Sequence, residues 1–350
     1  MIGLHKSFAA MATSSAAVAF LALAAAPSAR ADAIADFYKS HPVQVVIGYT
    51  TGGAYDLYAR VLSRYYGKYL PGNPTLVPQN MPGAGSLKAA NYIYAVAPKD
   101  GSVFGTFGRG EAVEPLIGDS GATFDSRKFT WLGSITSEVS ICATWNTSKV
   151  KTWDDALKHE FTVGGEGSGS DPDIFAAVMK NVFGAKLKLV TGYPGGNEIN
   201  LAMERGEVDG RCGWSWSSVM STKPDWIKNK KVNVFIQMAM KKDKDIDAPL
   251  IMDLAKDDHQ RKILTLFFSR QEMGRPFAAP PGIPADRKAA LIKAFNETMK
   301  DPSFLADTKK QKLDVDPVDA KDLAKLVDDI YATPKEILAE GKSIVAKGAR

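Results

Sequence analysis

Two stretches of this chain carry the same three-part pattern, and that repetition restricts the fold more than any other feature. Val43-Gln-Val-Val-Ile-Gly-Tyr-Thr-Thr-Gly-Gly-Ala-Tyr-Asp56 runs from an apolar segment through a Gly/Thr turn into a helical pattern over 57–66, stopped by Gly67. Phe161-Thr-Val-Gly-Gly-Glu-Gly-Ser-Gly-Ser-Asp171 repeats the pattern, with a helix over 172–183 stopped by Gly184. A strand that feeds a glycine-rich turn into a helix sets free backbone N–H groups at the positive end of a helix dipole, which is an anion-binding device. Two such devices predict two α/β lobes, each offering one turn to a shared cleft.

The first residues read as an export leader. His5 and Lys6 form a short positive segment, residues 16–26 are apolar, and Ala29-Arg30-Ala31 has the small-x-small form of a cleavage site. Cleavage after Ala31 leaves about 319 of the 350 residues, enough for two domains. The apolar run is shorter than the roughly 20 residues a spanning helix needs. The leader therefore predicts a soluble, periplasmic protein. The formal charge of +5 falls to +3 without Lys6 and Arg30, a balance that argues against nucleic acid and acidic membranes as partners. The basic runs 228–231 and 241–244 read as solvated surface.

Strand-like runs at 43–48, 75–78, 103–108, 129–134, 139–145, 161–163, 187–191, 208–212 and 232–239 alternate with helical patterns at 55–66, 86–96, 152–158, 173–183, 197–205 and 251–265. This alternation predicts βαβ units around mainly parallel sheets. The tail differs: 286–299, 302–312, 320–331 and 334–346 are amphipathic and are expected as helices packed outside one lobe. The Pro-rich segment 276–284 marks the return from the second lobe to the first. Cys142 and Cys212 lie in apolar strand-like runs, either as one disulfide or as two buried thiols.

Four stretches, in register along the chain, resemble the periplasmic substrate-binding proteins of tripartite tricarboxylate transporters, the Bug receptors. Tyr49-Thr-Thr-Gly-Gly-Ala-Tyr-Asp-Leu-Tyr-Ala-Arg60 resembles that family's first ligand loop. Gln79-Asn-Met-Pro-Gly-Ala-Gly85 resembles its Glu-Asn-x-Pro-Gly-Ala-Gly-Gly signature, Ala97-Pro-Lys-Asp-Gly101 its Pro-Asp-Gly, and Arg275-Pro-Phe-Ala-Ala-Pro-Pro-Gly-Ile-Pro284 its return segment. The chain departs from the family at Gln79 and Ser86, at Gly167–Asp171 where a His-Leu pair usually follows, at Tyr193-Pro-Gly-Gly196, and at Trp214 and Trp216.

The resemblance implies a type II periplasmic-binding-protein fold, with two Rossmann-like lobes, two crossovers and a cleft between them. Lobe 1 is expected over 32–138 and 269–350, lobe 2 over 139–268. In that topology the first strand of lobe 2 lies beside a later one, which favours a disulfide between Cys142 and Cys212. The implied ligand is a small organic carboxylate, the implied partners are the small and large membrane subunits of such a transporter, and the implied state is a monomer without cofactor. A sensory role beside a membrane kinase would use the same site.

The residues expected at the ligand are the following. Thr50, Thr51, Gly53, Ala54 and Tyr55 offer backbone and hydroxyl groups, with Gly52 and Gly53 allowing positive φ. Asp56 is read first as a cap on its own helix. Gly167, Ser168, Gly169 and Ser170 form the counterpart loop, and Asp171 before Pro172 reads as its structural cap. Arg109 closes a strand at the edge where open α/β sheets bind ligands, and it either holds a carboxylate or pairs with Glu111 or Glu114. Tyr193 and Trp214 sit at equivalent edges as candidate walls, while Arg211 is expected to pair with a structural acid. Neither a nucleophile elbow nor a dinucleotide or phosphate fingerprint is present, and His41, His159 and His259 have no metal-ligand spacing. An exported enzyme on the same fold is thus the weaker alternative to a receptor.

Overall fold

The computed structural model describes residues 26–118 and 121–348, with side chains from residue 33. The expected leader lies outside the described residues up to position 25, and its cleavage point after Ala31 falls within the helix α1 (Ala26–Ser40). The chain continues through β1 (Val43–Ile47), α2 (Ala54–Tyr66), β2 (Leu76–Asn80), α3 (Leu87–Ala95), β3 (Val103–Thr106), α4 (Glu114–Ile117) and β4 (Thr130–Ser134). A second series follows: β5 (Ser140–Trp145), α5 (Trp153–Lys158), β6 (Phe161–Gly164), α6 (Asp171–Phe183), β7 (Leu187–Val190), α7 (Gly196–Glu204), β8 (Gly210–Ser215), α8 (Trp216–Thr222), α9 (Pro224–Lys228), β9 (Val232–Met238) and α10 (Asp258–Phe268). The chain returns through β10 (Pro276–Ala279), α11 (Ala285–Thr298), α12 (Pro302–Lys310), β11 (Val318–Asp319), α13 (Ala320–Tyr331) and α14 (Lys335–Ala346).

Two mixed sheets result. The first has the order β11-β4-β10-β3-β1-β2, with β1 parallel to β2 and β3 and with β10 and β11 antiparallel to their neighbours. The second has the order β7-β6-β8-β5-β9, where β6 runs parallel to β7 and β8, and β5 runs antiparallel to both its neighbours. The fold is thus α/β with two lobes. The chain leaves the first sheet after Ser134 and re-enters it at Pro276.

Strand β1 shows why the first sheet is buried on both faces. Val43, Val45 and Ile47 enter one apolar cluster with Tyr58, Leu62 and Tyr66 of α2, while Val46 enters another with Ala89 and Ile93 of α3. Each fully buried side chain of this size contributes roughly 1.5–3 kcal/mol. Cys142 and Cys212 form a disulfide across the antiparallel pair β5 and β8, with Cα atoms 3.9 Å apart, so the alternative of two free thiols falls.

Three expectations need correction. The pattern at 251–265 is not one helix: the side chain of Asp257 accepts the N–H of Gln260 and starts α10 at Asp258, leaving Ile251–Leu254 as a separate 3-10 turn. The Pro-rich return holds a central strand, β10, because Phe277 and Ala278 pair with both β3 and β4. The tail helices do not share one lobe. Whereas α11 and α13 pack on β4, and α12 on α2, the last helix α14 packs on α4, α6 and α10. Asn181 on α6 fixes it by donating to the carbonyls of Ile344 (2.8 Å) and Gly348 (2.9 Å).

Candidate functional site

Between the sheets lies a narrow cavity with a free volume of about 60 Å³. Lobe 1 contributes Tyr49, Thr50, Gly53, Ala54, Tyr55 and Arg109, and lobe 2 contributes Glu166, Asp171, Asn197, Asn200, Arg211 and Trp214, among others.

The lobe 1 loop leaves its donors open. Gly52 adopts φ +82°, a value that suits glycine, and its N–H donates to Asp56 Oδ2 at 2.9 Å. Asp56 also accepts from Arg60 Nε and Asn80 Nδ2, both at 2.8 Å. Burial alone would raise this carboxyl; the hydrogen bonds of Arg60, Gly52 and Asn80 hold it below its usual range. Asp56 therefore braces the loop, and neither it nor Thr51 lines the cavity. Gly53, the first residue before α2, has φ −75° and no side-chain cap. Of the two glycines, Gly52 alone takes the positive φ that both allow. The first N–H groups of α2, at Ala54 and Tyr55, lack intrahelical partners by construction, and both residues line the cavity. Tyr49 stacks on Tyr55 with ring centroids 4.6 Å apart and forms the adjacent wall.

The counterpart loop is used differently. Asp173 Oδ2 accepts the N–H of Glu166 (2.7 Å), the N–H of Gly167 (3.0 Å) and the hydroxyl of Ser170 (2.8 Å). Ser168 donates to Glu114 Oε1 across the cleft at 2.8 Å. Gly167, Ser168 and Gly169 therefore do not line the cavity; Ser170 and Asp171 do. They pack instead against lobe 1, where Gly85 N–H donates to the carbonyl of Glu166 at 3.1 Å. A Cβ on Gly85 would stand 2.7 Å from the carbonyl of Ser168, so this glycine is where the two backbones meet.

Arg109 is buried, lines the cavity, and pairs with Asp171 rather than with Glu111 or Glu114. Its Nη2 donates to Ser140 Oγ (2.8 Å) and Ser215 Oγ (3.0 Å) and forms an ion pair with Asp171 Oδ2 at 2.5 Å. Its Nη1 donates to the carbonyl of Gly274 at 3.2 Å. Burial works to lower its pKa, but Asp171 and the neighbouring acids win and raise it. Asp171 is thus more than a structural cap, since Arg270 also approaches it, at 3.5 Å. One carboxylate thus gathers two arginines, Arg109 and Arg270.

Arg211 pairs with an acid as expected, Glu166, at 2.9 Å, yet both residues line the cavity. Burial pushes Glu166 up to about 7, against the pull of Arg211 and with the push of Asp173 and Asp171. Trp214 is fully buried against Trp226 and also lines the cavity. Tyr193 does not; it packs beside the Trp214 cluster while its N–H donates to the carbonyl of Gly165 at 3.0 Å.

The helix expected over 197–205 forms, and what sequence reasoning missed is that its start reaches the site. The helix α7 begins at Gly196 after Gly195, with no side-chain cap, and Gly196 and Asn197 line the cavity opposite α2. The signal was present: β7, then Gly192 to Gly195, then α7 is the same strand–glycine–helix pattern a third time. Asn200, one turn further, lines the cavity as well.

No family model matches the chain. A curated relative, the UPF0065 protein in gbd 5'region of Cupriavidus necator, is 43% identical over 94 residues, which is 27% of this chain and 27% of that protein. The matched part thus spans about a quarter of the relative's length. Among solved structures, the periplasmic binding protein BugD is similar over 86% of this chain and 98% of its own, at 18% identity and a TM-score of 0.69. A Rhodopseudomonas palustris protein with adipate is similar over 87% and 98%, at 16% identity and a TM-score of 0.68. MatC of Rhodopseudomonas palustris with bound malate is similar over 87% and 99%, at 18% identity and a TM-score of 0.65. The chain has the fold of these periplasmic solute-binding proteins, and its structural neighbours are the Bug and tripartite tricarboxylate receptors that its four sequence stretches resemble.

Proposed function

We propose that this protein is a periplasmic receptor for a small organic carboxylate, which closes its two lobes on the ligand and delivers it to the membrane subunits of a tripartite tricarboxylate-type transporter. One observation carries this reading: the uncapped starts of α2 and α7, from opposite lobes, line the same cavity. Helix starts favour negative charge, each by up to about 2 kcal/mol in buried geometry. Closure is then a population shift, because only the closed form lets one carboxylate touch both starts. The malate and adipate held by two structural neighbours support the ligand class. We assign residues 1–31 to an export leader and place the lobe boundaries near 139 and 268. Thr50, Gly53, Ala54 and Tyr55 of lobe 1, with Gly196 and Asn197 of lobe 2, hold the carboxylate. No step of this cycle asks for covalent chemistry or a cofactor.

The test is thermal unfolding of the mature protein, stripped of ligand by denaturation and refolding, against mono-, di- and tricarboxylates. A ligand at about a hundred times its Kd adds roughly 2.7 kcal/mol and raises Tm. If no acid moves Tm, the receptor reading for carboxylates fails.

A further inference from the structure

Away from the helix starts, the lobe 2 wall of the cavity presents a second set of groups. Arg211 Nη2 donates to Glu166 Oε1 at 2.9 Å and Nη1 to the carbonyl of Gly196 at 3.2 Å. The two side chains are only 9% and 6% exposed. Two guanidinium nitrogens are thereby committed. Three buried atoms nearby have no protein partner among the described residues: the donors Arg211 Nε and Trp214 Nε1, and the acceptor Asn200 Oδ1. The Arg211 guanidinium lies 5.5 Å from the Trp214 ring centroid, so the two donors belong to one stacked unit. Leaving such groups unpaired is costly, each by roughly 1–3 kcal/mol.

The chemistry of this wall discriminates between ligand ends. An ionised carboxylate placed here meets Glu166 with like charge, in the company of Asp171, Asp173 and Glu198, while Arg211 is already neutralised. A primary carboxamide has the matching pattern. Its oxygen accepts from Trp214 and Arg211, and its two N–H groups donate to Asn200 and to Glu166. We propose that this wall is a subsite for an un-ionised carboxamide, that the ligand is a carboxylate with an amide at its far end, and that Glu166 is the residue that rejects a second carboxylate. This rests on the carboxylate reading given above.

The rejection depends on the charge of Glu166. The groups that face it are Arg211 on β8, Asp171 and Asp173 on α6, Glu198 on α7 and Tyr49 after β1. With burial holding Glu166 near 7, the protonated fraction rises about tenfold from pH 8 to pH 6, and the apparent affinity for a diacid rises with it.

The experiment measures Kd by calorimetry for succinate, glutarate and adipate, each beside its half-amide, at pH 8 and pH 6, on wild type and Glu166→Gln. At pH 8 the best-fitting half-amide is expected to bind wild type at least about tenfold tighter than its diacid. Lowering the pH to 6 tightens the diacid about tenfold and leaves the half-amide within about twofold. In Glu166→Gln the diacid gains at pH 8 and its pH dependence flattens. The pH comparison on wild type stands even if the variant does not fold. Diacids that match or beat their half-amides on wild type at pH 8, or a preference unchanged in folded Glu166→Gln, overturn the subsite alone. Failure of every acid and every half-amide to bind overturns the carboxylate reading and the subsite with it.

Discussion

The loops Thr50–Asp56 and Gly165–Asp173 share a sequence grammar and differ in what their acids do. In lobe 1 a single acid, Asp56, folds back onto Gly52, Arg60 and Asn80 and leaves the start of α2 open to the cavity. In lobe 2 three acids occupy the corresponding space. Asp173 takes the backbone N–H groups of Glu166 and Gly167, Asp171 pairs with Arg109, and Glu166 pairs with Arg211. The first loop is the one we propose as the anion receptor. The second is an internal anion that joins the lobes and sets the charge of the far wall. Free backbone N–H groups at a helix start are therefore a site only when no side chain of the same loop has reached them first.

This contrast can be broken by substitution, beginning with the largest effect. Asp171→Ala leaves Arg109 and Arg270 buried with their shared acid gone, and unfolding free energy is expected to fall by about 3–5 kcal/mol, read by denaturant titration. Asp56→Ala, whose partner Arg60 is 38% exposed, should lose far less; equal losses would refute the division of roles.

A second test uses pH. Because burial raises Glu166 from its usual 4.5 to about 7, the folded state holds a proton that the unfolded state has released between those values. Its contribution to stability is full below pH 4.5 and is lost as pH rises to 7, by about 3 kcal/mol. The stability difference between wild type and Glu166→Gln should shift by that amount between pH 4.5 and 8, and a flat difference would contradict the raised pKa.

Ala54→Pro sharpens the receptor side. Proline is well accepted at the first helical position and Gly53 already has the extended ψ of 165° that precedes it. The change deletes one cavity-facing N–H with the helix intact. A charged hydrogen bond of roughly 1.5–3 kcal/mol predicts a loss in affinity of about 10- to 150-fold, and unchanged Kd would remove Ala54 from the site. Smaller again is Ser168→Ala, which deletes a contact to Glu114 that lies outside the cavity. Affinity should fall by less than in Ala54→Pro, since the contact braces the loop and does not touch the ligand.

Much of the fold was legible because it is written in local patterns. The apolar run of β1, the glycine turn after it and the stripe of α2 are all short-range signals. The strand β10 was hidden by its prolines, since only its pairing with β3 and β4 makes it a strand. The site was legible in part for the same reason. Thr50, Gly53, Ala54, Tyr55, Arg109, Ser170 and Trp214 all reach the cavity wall. The roles of Asp171 and Glu166 were not legible, because their partners Arg109 and Arg211 lie 62 and 45 positions away in sequence. Pairings of that range are decided by packing, which no local pattern encodes. The helix beginning at Gly196 was readable from its pattern, but its reach into the cavity depends on how the two lobes face each other.

The last helix, α14, follows the first sheet's strands along the chain but straddles the two lobes, packing on α6 and α10 of the second and on α4 of the first, where Gly341 lies against Leu266 of α10 and Ile117 of α4. Sheet membership and modular independence therefore part company here. A fragment trimmed to the second sheet would expose the α6 and α10 part of the seat of a helix it does not encode, and a fragment holding the first sheet would carry a helix left with α4 alone. One helix is shared by the halves of this molecule, so any attempt to graft, swap or express the second half alone must bring residues 335–346 with it.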